Sequence, residues 1–156
     1  MRLLLLALLL SARPVDPIAA ETLEFALERS PLVRSLIGTL DRSNVIVHIQ
    51  SSRQLPPGIS GTTRFVVTRG GYRYLRIAVA TDLPKAARAA ILGHELQHAV
   101  EVARSDAADG DSLRRLFSKQ GEQSGRYFDT RAAVRVERNV RRELLLQAEP
   151  VIKFDH

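Results

Sequence analysis

The chain has 156 residues, is 45% apolar, carries a formal charge of +6 and contains neither cysteine nor tryptophan. That length accommodates one domain. The missing cysteine excludes disulfides, thiolate zinc ligands and a cysteine nucleophile, so any metal must be held by nitrogen and oxygen. The basic balance comes mainly from arginine and forms no long block of like charge, so nucleic acid is not the expected partner.

Met1-Arg2 followed by the apolar run Leu3 to Leu10 has the layout of an export signal and is too short to span a bilayer. Cleavage after Ala12 or after Ala20 is the expectation, giving a signal peptide over 1–20, a domain over 21–156 and a periplasmic or secreted protein. Without a cysteine there is no lipobox, so no stable membrane insertion is expected once the signal is removed. Arg13 to Ala20, with two prolines, reads as a linker. Glu21 to Leu40 reads as helix in two parts, the second opened by Ser30 as cap and Pro31 as first residue.

Asn44 to Gln50 is β-branched and short, a strand, and Leu55 to Gly61, with two prolines and two glycines, is a loop. Thr63 to Arg69 and Tyr72 to Ala80 form a hairpin across Gly70-Gly71. A buried helix then runs to about Arg104, with Thr81 or Asp82 as cap and Pro84 in its first turn. Asp106 to Ser112 is a turn, and Leu113 to Lys119 a short helix. Gly121 to Gly125 breaks the chain, and a last helix runs from Asp129 or Thr130 to about Gln147.

Chemistry concentrates in Gly93-His94-Glu95-Leu96-Gln97-His98. Two histidines four residues apart stack on one helix face, where both imidazoles reach one ion. Zinc accepts imidazole nitrogen, and a catalytic site needs a third ligand and an open position. Glu95 between them projects beside the ion, where it takes a proton from an attacking water. Every other residue from Ile91 to Val100 is uncharged, and burying such groups without partners costs several kcal/mol.

This HExxH segment resembles the zincin metallopeptidases over roughly Tyr72 to Val140. The resemblance implies an α+β domain in which a small antiparallel sheet packs on the motif helix, with flanking helices. It also implies that Tyr72 to Ala80 is the edge strand that holds an extended peptide substrate. The metzincin continuation is absent, since Glu101 and Arg104 stand where a glycine and a third histidine belong. Gluzincins take an acid from a later helix as Glu-x-x-Ala, and Asp129-Thr130-Arg131-Ala132 is the nearest match, one methylene shorter.

At 100° per residue, Ala133, Val136, Val140 and Leu144 lie within about 60° of Asp129, while Arg131, Arg135, Arg138 and Arg142 face the other way. Asp129 is thus a candidate third ligand, with a helix N-cap as its alternative role. Glu101, seven residues after His94, is a candidate ligand or a hydrogen-bond partner for an imidazole. Glu137, at the flank of the stripe, is the remaining candidate.

Other features have plainer readings. His48 is a half-buried strand residue and His156 a terminal one. Asp106, Asp109 and Asp111 lack the glutamate that would complete a calcium loop. Tyr72, Tyr74 and Tyr127 are possible oxyanion donors with no spacing that selects one. Arg64, Arg69, Arg73 and Arg76 make the hairpin basic. The expected function is zinc-dependent hydrolysis of peptide bonds, with zinc on His94, His98 and Asp129, Glu95 as general base, and a peptide or protein substrate. The alternatives are a non-catalytic exported zinc-binding protein and a basic polyanion-binding module.

Overall fold

A computed structural model describes residues 11–124 and 127–148, with the side chains of 120–128 and 148 outside that description. Among the described residues the chain is α+β, with five helices, a four-stranded sheet and a separate two-stranded one. The apolar run Leu3 to Leu10 and His156 lie outside the described residues.

The segment expected to be a linker is folded. Ala12–Pro14 forms strand β1, and Pro17–Arg29 forms helix α1. Asp16 caps α1 by accepting from the Ala19 amide at 2.8 Å, with Pro17 preset for the first turn. The same carboxylate accepts from the backbone N–H and the hydroxyl of Ser51, tying the segment to the sheet. A three-residue strand is too short to show a period of two, so its pattern in the sequence is mute. A cut after Ala12 would fall inside β1, and one after Ala20 would remove β1 and the first turn of α1.

Helix α2 (Pro31–Asp41) starts at Ser30, whose hydroxyl accepts from the Val33 amide at 3.0 Å, as expected. Strand β2 (Val45–Ser52) leads through a loop to β3 (Gly61–Arg69), which turns at Gly70-Gly71 into β4 (Tyr72–Ala80). Both turn glycines have positive φ, 59° and 80°, which the tight hairpin requires.

The sheet is mixed rather than antiparallel: its order is β1-β2-β4-β3, with β1 and β4 both parallel to β2 and only β3 antiparallel to β4. The loop over 53–60 is long enough for β3 to skip one strand position, after which β4 returns into the gap beside β2. Tyr72 to Ala80 is therefore an interior strand, and the edge beside the motif helix is β3.

The motif helix α3 (Lys85–Ala103) is buried almost all round, as its apolar sequence predicts. Its start differs from expectation. Pro84 occupies the cap position with no side-chain bond, and Thr81 instead donates to the Ser52 carbonyl. At its other end Arg73 on β4 is buried and donates to the carbonyls of Val102, Ala103, Ser105 and Ala107. Its guanidinium satisfies orphan carbonyls of the helix end and locks α3 to the sheet.

Helix α4 (Gly110–Gln120) opens with Asp109 accepting from the Ser112 amide, so this acidic turn is a cap as expected. A hairpin that the sequence reading missed follows, β5 (Gly121–Ser124) with β6 (Tyr127–Thr130), and then helix α5 (Arg131–Ala148). Ala133, Val136, Val140 and Leu144 are buried on α5, while Arg131, Arg135, Arg138 and Arg142 are exposed. Gly93 is what lets α5 lie so close to α3, because a Cβ there would sit 2.9 Å from a Val140 methyl.

Candidate metal centre

His94 and His98 lie one turn apart on α3, with ring centroids 5.0 Å apart. Asp129, the third residue of β6, reaches towards both. Its Oδ1 is 2.9 Å from Nε2 of His94 and 3.8 Å from Nε2 of His98. One donor atom from each of the three residues falls within 4.8 Å of the others. Among the described residues this is the group of three or more such side chains that could hold one ion.

Asp129 is not the N-cap of α5. Thr130 takes that role, its hydroxyl accepting from the Ala133 amide at 3.1 Å. The Asp129 carboxylate is thereby left for the histidines. With both imidazoles neutral and donating through Nδ1, Oδ1 faces two Nε2 lone pairs and has no hydrogen donor, whereas a proton on His94 Nε2 turns the 2.9 Å contact into an ion pair. A buried carboxylate oxygen without a donor is costly, and a cation coordinated by it and two imidazole nitrogens removes that cost. The donor set of two nitrogens and one oxygen suits zinc.

The other two acids are placed behind the histidines, not in the triad. Glu137 Oε2 lies 3.1 Å from Nδ1 of His94, and Glu101 Oε2 lies 3.0 Å from Nδ1 of His98. Each carboxylate holds its imidazole with Nδ1–H as donor, leaving both Nε2 lone pairs turned to Asp129. Glu137 is itself held by Arg141, and Glu101 by the Thr130 hydroxyl at 2.6 Å. Thr130 thus caps α5 and orients Glu101 together. Phe117 of α4 packs against the His98 ring at 4.9 Å, closing the apolar side.

These groups shift one another in the metal-free protein. Burial alone would depress the His94 pKa, but Asp129 and Glu137 outweigh it and raise it to about 10. Glu137 falls to about 2, driven first by His94 and aided by Arg141. Glu101 and Asp129 also lie below their ordinary values: burial pushes each upward, and the histidines more than reverse it. A proton on His94 is what balances this much negative charge when no cation does.

Glu95 behaves differently. It is buried on the α3 side facing β3, and burial raises its pKa despite the opposing pull of His98 and His94. The Thr63 hydroxyl donates to its Oε2 at 2.6 Å. Gly61 is required beside it, since a Cβ there would come within 2.8 Å of Glu95 Oε1 and 2.6 Å of an Ile91 methyl. A carboxylate of raised pKa close to two imidazoles is a competent proton acceptor.

Of the other residues singled out, His48 is half-buried on the sheet and stacks on Tyr74 at 6.1 Å. Tyr72 is exposed at the hairpin end, and the Tyr127 side chain lies outside the described residues. Thr63, Gly61, Gly93, Thr130 and Arg141 were not singled out from sequence, because their roles depend on elements distant in the chain. Comparisons with protein-family models, with curated proteins and with solved structures found no match.

Proposed function

We propose that this protein is a zinc-dependent hydrolase of peptide bonds, of the gluzincin-like zincin type and exported to act on a peptide or protein substrate. The supporting observation is the convergence of His94, His98 and Asp129, with an orphaned buried Asp129 oxygen, beside the buried acid Glu95. Export rests on the sequence pattern of Met1 to Leu10 alone.

His94, His98 and Asp129 would hold the ion, and zinc when bound supplies Lewis acidity at the scissile carbonyl and its attacking water. Glu137 and Glu101 fix the imidazole orientations through Nδ1. Glu95 accepts the proton of the attacking water and delivers it to the leaving amine, with Thr63 keeping Oε2 in place. The edge strand β3 runs beside Glu95, a natural place for an extended peptide to add.

An intact acid at position 95 favours an enzyme over a binding protein that keeps only the ion, since metal retention alone needs no base. The test is Glu95→Gln beside wild type, measuring zinc per chain and hydrolysis of a peptide library. Zinc retained at about one per chain with turnover reduced by about 10²–10⁴-fold is the expected result. Absence of zinc uptake by wild type, or unchanged turnover in the variant, would overturn it.

A further inference from the structure

The two faces of the four-stranded sheet are chemically unlike. Its inner face supplies Val45, Val47, Ile49, Leu75, Ile77 and Val79 to the core. On the outer face the register sets Arg13 opposite His48, His48 opposite Arg76, and Arg76 opposite Arg64. One row of basic side chains therefore crosses all four strands, at about 4.8 Å per strand. No acidic residue occurs in any of these strands. Among the described residues, Arg64, Arg69 and Arg76 take no part in an ion pair with a carboxylate.

Like charges directly opposite one another weaken a sheet, so the Arg64–Arg76 pair opposes the stability of the isolated domain. Burial first, and then Arg13 and Arg76, hold the His48 imidazole below its ordinary pKa. A second feature lies on the same hairpin. The register shifts between Phe65 and Val67, and Val66, Val67 and Tyr72 are 48%, 44% and 47% exposed around Arg69. Val67 pairs with Tyr74, and Arg69 with Tyr72, so this apolar tip continues the basic face.

We infer that the outer face of the β3–β4 hairpin is a docking surface for an anionic phospholipid bilayer. Guanidinium groups pair with phosphate oxygens in a bidentate fork, and Arg64, Arg69 and Arg76 present three of them on one face of the hairpin. Exposed valines beside a tyrosine suit the interfacial zone, where aromatic rings with a polar end accumulate. A nucleic-acid backbone would match the arginines but leave the valines in water. On β3, Arg64 faces outward while Thr63 faces Glu95, so a docked sheet holds the metal centre on the side away from the bilayer. The inference stands independently of the zinc reading.

Full-length protein is sedimented with phosphatidylcholine vesicles, with and without phosphatidylglycerol, beside the double variant Arg64→Ser/Arg76→Ser. Partitioning should rise with phosphatidylglycerol, fall with added salt, and drop roughly thirtyfold in the variant on anionic vesicles only, from two lost surface cations. Thermal melting of the variant checks that it is folded. Equal partitioning on neutral and anionic vesicles, or a folded variant that binds as wild type does, would overturn the inference. Salt-sensitive capture of a single-stranded oligonucleotide without vesicle binding would overturn it in favour of nucleic acid.

Discussion

The candidate metal centre and the outer face of the sheet each crowd like charges together, and they resolve the crowding in opposite ways. At the centre, Asp129, Glu137, Glu101 and Glu95 surround two histidines; Glu137 meets His94, Glu101 meets His98 on its own helix and Thr130 beyond it, and Glu95 meets Thr63. The exception is Asp129 Oδ1. On the sheet, Arg13, His48, Arg76 and Arg64 stand in a row with no carboxylate on their strands. Inside a protein an uncompensated charge costs several kcal/mol and must be met locally. On a surface, water and salt screen it and a partner can meet it. Each region thus carries charge that, among the described residues, no side chain of opposite sign answers locally, negative at Asp129 Oδ1 inside and positive at Arg64 and Arg76 outside.

The largest effect expected is on the ion. Asp129→Ala should weaken zinc binding by more than the roughly 10–100-fold that follows loss of an outer carboxylate, whereas Glu137→Gln should stay within that range. Competition with a chromogenic chelator measures both, and equal losses would mean that Asp129 matters no more than an outer carboxylate and does not contact the ion. Next is Arg73→Ala, which strands four carbonyls at the end of α3. It should cost about 3 kcal/mol of stability by denaturant titration, as removal of a buried charged donor does.

A pH contrast sharpens the inner side. The raised pKa of His94, about 10 against an ordinary 6.5, means the folded metal-free protein binds this proton more tightly than the unfolded chain. Its contribution is full below about 6.5 and is lost as pH rises through about 10. Metal-free protein should therefore lose melting temperature between pH 7 and 10, and zinc-loaded protein should lose much less. The smallest effect is on the sheet. Arg76→Thr removes the arginine opposite Arg64 and should raise stability by about 0.2–1 kcal/mol, while lowering affinity for anionic vesicles. A destabilised variant would show that Arg76 has a structural partner.

Much of this was legible before the fold. HExxH spacing on an all-round apolar helix singles out His94, Glu95 and His98, because i and i+4 share a face in any α-helix. The stripe from Ala133 to Leu144 is buried as its spacing predicts, but Asp129 lies on β6 before the helix, so its approach to the histidines is set by the strand and not by that stripe. Local signals also set Ser30 as a cap and Gly70-Gly71 as a turn. These features depend on residues within a turn or two of one another, which the sequence displays directly.

Tertiary structure decided the rest. That Asp129 is not a cap depended on Thr130 taking the cap, and Thr130 is also bound to Glu101 on another helix. The sheet proved mixed because a loop skipped one strand position, which alternation within a strand cannot reveal. The same arrangement moved the edge from Tyr72–Ala80 to Gly61–Arg69, brought Thr63 and Gly61 onto Glu95, and aligned four basic residues from four strands. Side-chain period and capping are local properties of the chain. Register, strand order and helix contact are set by how the whole core closes, and no short stretch of sequence carries them.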